Sequence, residues 1–385
     1  VKAALLFDHF GPYHQARLGA AALLMKVEGV EFASRSVDYD WHPARLRPLP
    51  LISVTEREET RGQSFGRRLG EVLGQIQPDV VAIPGWSSAG AITAMQWCLQ
   101  KRVPMILMSE SCAHDEVRVS WKEWIKRRLV RYSSSALVGG TLHAVYLQEL
   151  GMPSDNIFPG YDAVDNAHFN GGECPRQESE PAFLASARFI PKKNLPRLLQ
   201  AYALYRENCL SEMRQPWRLV LLGDGIMRPE LEDLASQLQL QNGLELPGFK
   251  QYHELPAYYQ RAKVFIHAST TEQWGLVVNE AMASSLPVLV SDLCGCAPDL
   301  VQNGVNGYTF DPFDVKALSA LMSHMADMTD EQRAEMGRAG LKIIGDWSPQ
   351  KFAQGFRSAA EKAVQVGHCA AGAIDRALLK LLSLK

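Results

Sequence analysis

The stretch 271–281, TEQWGLVVNEA, decides how this chain is read. It follows the apolar run 264–268 and leads into a helix-like segment, 277–284, that stops before Pro287. Glu272 therefore falls on a strand-to-helix loop, and Glu280 is expected in the first turn of the helix. Helical side chains lean toward the N-terminus, so Glu280 is expected to point to the space that Glu272 borders. Between the two, a helix start offers N–H groups without intrahelical acceptors, which suits an anion. Carboxylates cannot hold a phosphate, but they accept hydrogen bonds from hydroxyls beside one. Phosphate next to polyol is the chemistry of a nucleotide sugar. The plainer alternative is a glutamate that only complements the helix dipole, worth roughly 0.3–1 kcal/mol.

The 385 residues exceed what one core usually holds, so two domains are expected. A net charge of −2 argues against whole-molecule attraction to nucleic acid, and no nucleic-acid partner is expected. The opening VKAALLF reads as a buried strand and lacks the n-region and cleavage site of a signal peptide. No stretch has the length of apolar sequence that spans a bilayer. Cysteines 98, 112, 174, 209, 294, 296 and 369 are irregularly spaced and odd in number, which suits free thiols in a reducing cytosol. Cys294-Gly-Cys296 lacks zinc-knuckle spacing and a partnering pair, and the histidines form no ligand-spaced cluster, so no metal site is expected.

Short apolar runs alternate with amphipathic segments along the whole chain. In the first half strands are expected at 3–7, 30–34, 80–83, 103–108, 136–138 and 157–158, with helices such as 16–26, 65–76, 89–99 and 142–150. That alternation indicates βαβ units and a mostly parallel sheet. It breaks at 170–181, NGGECPRQESEP, a polar stretch with linker chemistry. A second alternation follows, with strands at 183–187, 219–222, 244–246, 264–267 and 288–291 and helices at 195–206, 229–237, 255–261 and 277–284. The expected organisation is a first doubly wound domain over 1–168, a linker over 169–181 and a second domain over 182–349. The helix-like tail, about 350–385, is expected to pack back on the first domain. Ligands of open α/β sheets collect at the carboxyl ends of strands, and the glutamate pair lies at such an end.

Three further loops follow strands of the second domain. Arg188-Phe-Ile-Pro-Lys-Lys193 supplies cations before a helix; Gly223-Asp-Gly225 has glycines that would let a ligand approach the backbone; Pro247-Gly248-Phe249 is the third. Each alone is weak, and a surface Arg/Lys loop is most often merely solvated. Together, at successive strand ends of one sheet, they point to a site.

With these residues in view, the sequence resembles the family 4 glycosyltransferases. The resemblance is carried by SARFIPKKNLPRLLQAY (186–202), LLGDG (221–225), LPGF (246–249), TEQWGLVVNEAMASSLPVLVSD (271–292) and NGVNGYTFDP (303–312). It implies an α/β fold of the GT-B type, two Rossmann-like domains facing across a cleft, the first an acceptor domain and the second a donor domain. It also implies a retaining, metal-independent transferase that needs no cofactor. The donor would be a nucleotide-diphosphate sugar, a UDP-sugar ahead of a GDP- or ADP-sugar. Arg188 and Lys193 would hold the diphosphate and stabilise its growing charge as the sugar–phosphate bond breaks. Glu272, with the backbone N–H groups of Trp274, Gly275 and Leu276, would bind the sugar ring and distal phosphate. Glu280 would take the ribose hydroxyls, and Gly225, Phe249 and Lys250 would lie along the nucleotide.

The first domain matches less fully. Its strand-1 loop has a single glycine, Gly11, another donor-side candidate, and His14 and Arg17 beside it are candidate acceptor or phosphate contacts. His14 reads equally as a solvent-facing helix residue. The family often carries a histidine after the fourth strand. Here the segment is MSESCAHD (108–115), and either Glu110 or His114 takes that region. A Gly-Gly-x-x-Glu element appears as Gly295-Cys-Ala-Pro-Asp299, with one glycine lost and the acid shortened. The alternatives are a GT-B-shaped nucleotide-sugar epimerase or hydrolase, or a non-catalytic nucleotide-sugar-binding protein. Neither fits the intact Arg188, Lys193, Glu272 and Glu280 set as well.

The segment 118–132, RVSWKEWIKRRLVRY, carries six Arg/Lys against one Glu. On a helical wheel Trp121, Trp124, Ile125, Leu129 and Tyr132 share one arc, flanked by Lys122, Lys126, Arg127 and Arg131, as in interfacial helices. An ordinary half-buried helix has the same stripe. An anionic membrane surface is therefore a candidate partner, with a cytoplasmic location on the inner face of a membrane. A sugar, lipid-linked or small-molecule acceptor is expected, in cell-surface polysaccharide, lipopolysaccharide or glycolipid synthesis.

Overall fold

A computed structural model describes residues 1–34, 50–56, 60–170 and 180–383; most of the expected linker, 171–179, and Cys174 lie outside them. The chain divides into two compact units, Val1–Val164 with Trp347–Lys385, and Asp165–Asp346.

In the first unit seven strands form one sheet: β1 (Lys2–Phe7), β2 (Lys26–Ala33), β3 (Leu51–Thr55), β4 (Val80–Pro84), β5 (Met105–Ser109), β6 (Ser135–Val138) and β7 (Ile157–Pro159). Their order is β3-β2-β1-β4-β5-β6-β7, and every pair is parallel. Between them run α1 (Pro12–Leu24), α2 (Gly62–Ile76), α3 (Ala89–Lys101), α4 (Ser120–Val130) and α5 (Thr141–Glu149). The central strands are buried on both faces, which is why they read as unbroken apolar runs. β3 escapes the sequence pattern because it is an edge strand with only Val54 buried. Both α1 and β2 begin earlier than the apolar pattern places them, since Pro12 opens the helix and the chain enters the sheet at Lys26.

The second unit begins with the short helix α6 (Asn166–Phe169) and holds six strands: β8 (Ala182–Ser186), β9 (Arg218–Leu222), β10 (Leu244–Gly248), β11 (Val264–His267), β12 (Val288–Ser291) and β13 (Gly307–Phe310). Its helices are α7 (Leu195–Ser211), α8 (Arg228–Gln237), α9 (Leu255–Arg261), α10 (Leu276–Ala283), α11 (Ala297–Leu300), α12 (Val315–Asp327) and α13 (Asp330–Ile344). The parallel order β10-β9-β8-β11-β12-β13 reverses between β8 and β11. Such a topological switch point is where open α/β sheets open a crevice at their carboxyl ends.

The tail returns to the first unit as α14 (Pro349–Val366) and α15 (Ala373–Leu382). Phe352, Phe356, Ala359 and Ala363 of α14 share a core with Leu5, Leu18 and Ala21. Gly355 permits the approach, because a Cβ there would stand 2.2 Å from the Pro159 carbonyl oxygen. Leu379 of α15 joins the core on the opposite face, with α2 and α3.

Candidate functional site

The switch point of the second unit is built by two loops held together before any side chain of the site is considered. The backbone N–H of Thr270 donates to the Lys192 carbonyl at 2.9 Å. Asn194, buried and left-handed (φ 58°), donates its amide to the carbonyls of Ala268 and Pro312. These bonds lay the loop after β8 along the loop after β11. As a result the Lys193 ammonium bonds the Glu272 carboxylate, and Lys192 stands 3.5 Å from its other oxygen. His267, at the end of β11 and buried, places Nε2 3.7 Å from Glu272, and the Ser269 hydroxyl donates to the same oxygen at 3.4 Å.

The electrostatics follow from this packing. Burial alone would raise the Glu272 carboxyl, but the neighbouring His267 imidazole and the two lysines outweigh it and hold the group well below the usual carboxylate range. His267 is lowered from its ordinary value, chiefly by burial, and the lysines lower it further against the pull of Glu272. The site thus keeps an ionised carboxylate and two ammonium groups on a neutral imidazole floor. Sequence reading missed Lys192, His267, Ser269 and Asn194. The one available signal was the position of His267 and Ser269 on the same strand end as Glu272.

The glutamate loop is pinned from a third side. Glu272 pairs with Cys294 in an isolated parallel bridge, and Gly295 N–H donates to the Glu272 carbonyl at 3.0 Å. A Cβ on Gly295 would meet the Gln273 carbonyl oxygen at 1.6 Å, so this loop needs the one glycine that remains there. The Trp274 indole is buried and donates to the Asn279 side-chain oxygen at 2.8 Å. Any ligand contact from Trp274 is therefore main-chain. Gly275 (φ 104°) caps α10, and with Leu276 it opens the helix whose first N–H groups have no intrahelical acceptor.

Two expectations need correction. Glu280 is the fifth residue of α10 and so lies in its second turn. It is 1% exposed, and the Tyr259 hydroxyl donates to it at 2.6 Å. The Gly223-Asp-Gly225 loop does not reserve its glycines for a ligand. A Cβ at Gly223 would lie 1.8 Å from the Ala187 carbonyl oxygen, and one at Gly225 2.7 Å from that of Phe189. Those glycines admit the Arg188 loop itself, whose Phe189 N–H donates to the Asp224 carbonyl at 2.8 Å. Arg188 is exposed on that loop, two residues past β8. Phe249 is also exposed, and Lys250 faces the Tyr258 ring at 5.5 Å.

In the first unit the candidates separate. His14 is partly buried against the Phe7 ring, 4.2 Å away, and its Nδ1 accepts from the Gly11 N–H, so the solvent-facing alternative does not hold. Burial first, then Arg17, pushes this imidazole well below its ordinary value. Gly11 has φ −74°, which any residue adopts, so no backbone strain demands glycine there. Arg17 is 1% exposed and donates from Nε to the Ala163 carbonyl at 2.9 Å. Glu110 is half-buried just past β5, and His114 is exposed on the turn beyond. Among the described residues no group of three or more His, Cys, Asp and Glu is placed to hold a metal ion.

The amphipathic segment also differs from its wheel. Leu129 and Tyr132 are core, whereas Trp121 and Trp124 stand in solvent at 56% and 47% exposure. Lys126 is buried, held by Glu116, Glu123 and the Tyr146 hydroxyl, so it is no surface cation. Arg128 stacks over the Trp124 ring at 4.3 Å and pairs with Asp375. No described helix is long and apolar enough to cross a membrane.

Comparison with known proteins adds a likeness. Residues 172–343 match the model of the glycosyl transferases group 1. A putative colanic acid biosynthesis glycosyltransferase, WcaL, of Escherichia coli is 30% identical over 235 residues, 58% of this chain and 55% of that protein. The alpha-monoglucosyldiacylglycerol synthase of Streptococcus pneumoniae is 34% identical over 277 residues, 65% of this chain and 59% of that protein. The chain thus spans little more than half the length of these relatives. Among solved structures, Anabaena HepE in complex with UDP and glucose superposes with a TM-score of 0.74 at 17% identity, covering 94% of this chain and 99% of that one. The sucrose-phosphate synthase of Thermosynechococcus elongatus gives 0.69 at 16% identity, covering 94% and 99%. These likenesses establish the fold as GT-B, with two Rossmann-like domains. The matched segment, somewhat less than half of the chain, lies across the switch point of the second unit, which is thereby similar to the glycosyl transferases group 1.

Proposed function

We propose that this protein is a retaining, metal-independent glycosyltransferase that moves a sugar from a nucleotide-diphosphate sugar to an acceptor. The observation that carries the reading is the Lys192–Lys193–Glu272–His267 cluster at the β8/β11 switch point, beside the open start of α10. Lys193, Lys192 and Arg188 supply positive charge where a diphosphate leaves, and charge that develops in the transition state is what such preorganised groups stabilise. Glu272 holds Lys193 in place and offers its oxygens to sugar hydroxyls. Glu280, buried with Tyr259, takes the ribose hydroxyls. The acceptor attacks from the leaving-group face, and the departing phosphate oxygen accepts its proton, so no separate general base is required.

A UDP-sugar is the favoured donor, with the acceptor, a glycan or lipid-linked molecule, on the first domain. Exposed Trp121 and Trp124, with Lys122, Arg127 and Arg131 on the same helix or its end, support docking of the first domain on an anionic membrane surface. A thermal-shift panel of UDP-, GDP- and ADP-sugars tests the reading. A donor at a hundred times its Kd stabilises by about 2.7 kcal/mol, and no shift with any of them in a folded sample overturns it.

A further inference from the structure

The first sheet has a switch point of its own, because its order reverses between β1 and β4. His9 stands at the carboxyl end of β1 there, two residues past the strand on the loop to α1. Its imidazole is held through one nitrogen. Nδ1 lies 3.3 Å from the Ala33 carbonyl oxygen and 3.6 Å from the Glu31 carboxylate. Both neighbours only accept, so in the neutral ring the proton belongs on Nδ1 and the lone pair on Nε2. The side chain keeps 27% of its surface exposed, and among the described residues Nε2 has no hydrogen-bond partner.

Glu31 holds this arrangement in place. It is buried at the end of β2, and its oxygens accept from the Phe10 N–H at 3.2 Å and from the Ser53 hydroxyl at 2.5 Å. Phe10 follows His9 directly, so one carboxylate fixes both the loop backbone and the ring beside it. Gln15 secures the loop from the helix side, donating its amide to the Phe10 carbonyl at 3.2 Å. His14 is set the opposite way: its Nδ1 accepts from the Gly11 N–H at 3.3 Å, so its proton belongs on Nε2. Packing alone does not call for the His9 arrangement, since a partly exposed ring on a loop needs no carboxylate beside it and a carboxylate is costly to bury.

We propose that His9 is a substrate-contacting residue of the first unit, whose Nε2 accepts a hydrogen bond from a hydroxyl of the acceptor, and that Glu31 is the positioning residue that sets its tautomer. In this role the imidazole takes no proton; it aims the hydroxyl, whose proton leaves on the departing phosphate oxygen. The acceptor part rests on the transferase reading given above, and the tautomer does not.

The test uses the full chain, isotope-labelled in its histidine nitrogens. Proton–nitrogen correlation spectra of the rings are taken at about pH 8, where free imidazoles are neutral. His9 is expected to give the Nδ1–H pattern and His14 the Nε2–H pattern, with His9→Gln and His14→Gln identifying the signals. An Nε2–H pattern for His9 overturns the proposal. Glu31→Gln keeps the size of the side chain and removes its charge, and should move the His9 signal toward the Nε2–H pattern. An unchanged His9 pattern in Glu31→Gln ends the positioning role of Glu31.

The functional arm measures turnover of whichever of UDP-glucose, GDP-mannose and ADP-glucose stabilises the chain. The acceptors are the octyl glycosides of glucose, galactose, mannose and N-acetylglucosamine, and water where none of these reacts. His9→Ala should lower turnover about three- to tenfold, the loss of one hydrogen bond, while its nucleotide-induced melting shift is unchanged. His9→Gln, whose amide oxygen also accepts from a hydroxyl, should recover part of that loss. Wild-type turnover in His9→Ala overturns the contact. If no nucleotide sugar is bound or turned over, the transferase reading and the acceptor contact fail together, and the ring spectra still decide the tautomer.

Discussion

Lys193 and Glu272, 79 residues apart in sequence, form an ion pair across the β8/β11 switch point, the one place in the second sheet where the strand order reverses. Asn194 and the Thr270–Lys192 backbone bond hold the two loops that carry them side by side. The pair is thus a preset feature of the fold.

On the transferase reading, removing Lys193 takes away a charge that a leaving diphosphate needs. Lys193→Ala is expected to lower turnover by about 10²- to 10³-fold. Glu272→Ala should also cut turnover, yet it liberates Lys193 and should leave UDP binding equal to or tighter than wild type. Calorimetry with UDP, set against turnover, separates the two. Weaker UDP binding in Glu272→Ala would contradict a positioning and sugar-binding role for this glutamate.

Glu280 and Tyr259 share a buried hydrogen bond. Tyr259→Phe removes the donor and leaves the carboxylate short of a partner, at a cost of about 1–3 kcal/mol in urea unfolding. Glu280→Ala should weaken UDP binding in proportion far more than Glu272→Ala does. Equal losses in the two alanine variants would refute the division between ribose and sugar recognition.

Acid lability should trace in part to His267. Its folded-state value is lowered, so below about pH 6.5 the unfolded imidazole takes a proton that the folded one refuses, and stability falls with pH. Glu272, held low, adds stability above its unfolded value of about 4.3 that is lost on further acidification. His267→Gln is expected to flatten the melting temperature between about pH 6.5 and pH 5 and to leave the steeper fall below about pH 4.5 in place. An unchanged slope in the upper window would rule the histidine out.

Two glycines make a contrasting pair. Gly295→Ala forces a Cβ onto the Gln273 carbonyl and should cost about 2 kcal/mol or more, with loss of turnover because the Glu272 loop must move. Gly11→Ala meets nothing closer than 3.9 Å and should stay within about 0.5 kcal/mol of wild type. Chemical denaturation of both variants measures the difference directly.

Membrane docking rests on exposed aromatic area, so Trp121→Ala with Trp124→Ala should abolish co-sedimentation with phosphatidylglycerol vesicles while leaving the fold intact. Lys126→Ala should destabilise the protein instead, since that ammonium is buried among Glu116, Glu123 and Tyr146. Wild-type binding by the double tryptophan variant would assign the membrane contact to another surface.

The alternation of apolar runs was sufficient to read two parallel sheets, because strands buried on both faces must be continuously apolar. Edge strand β3, with one buried residue, carries no such mark. The candidate residues of the second unit were legible as loops at strand ends, whereas His267 was hidden at the end of a strand whose other members are simply core. The α4 wheel failed for a related reason. A periodicity shows which residues share a face, and cannot say whether core, ion-pair partner or solvent will occupy it.

By itself, then, the sequence determined the strand–loop–helix frame, the cations after β8 and the two glutamates around α10, since these depend on local periodicity and on neighbours in the chain. Tertiary structure alone decided that Glu272 is locked to Lys193, that Gly223 and Gly225 make room for the Arg188 loop, and that Arg17 and Asp162 are buried. Each of those depends on segments distant in sequence meeting at van der Waals distance, where charge, burial and the absence of a Cβ take effect only once the sheets have formed.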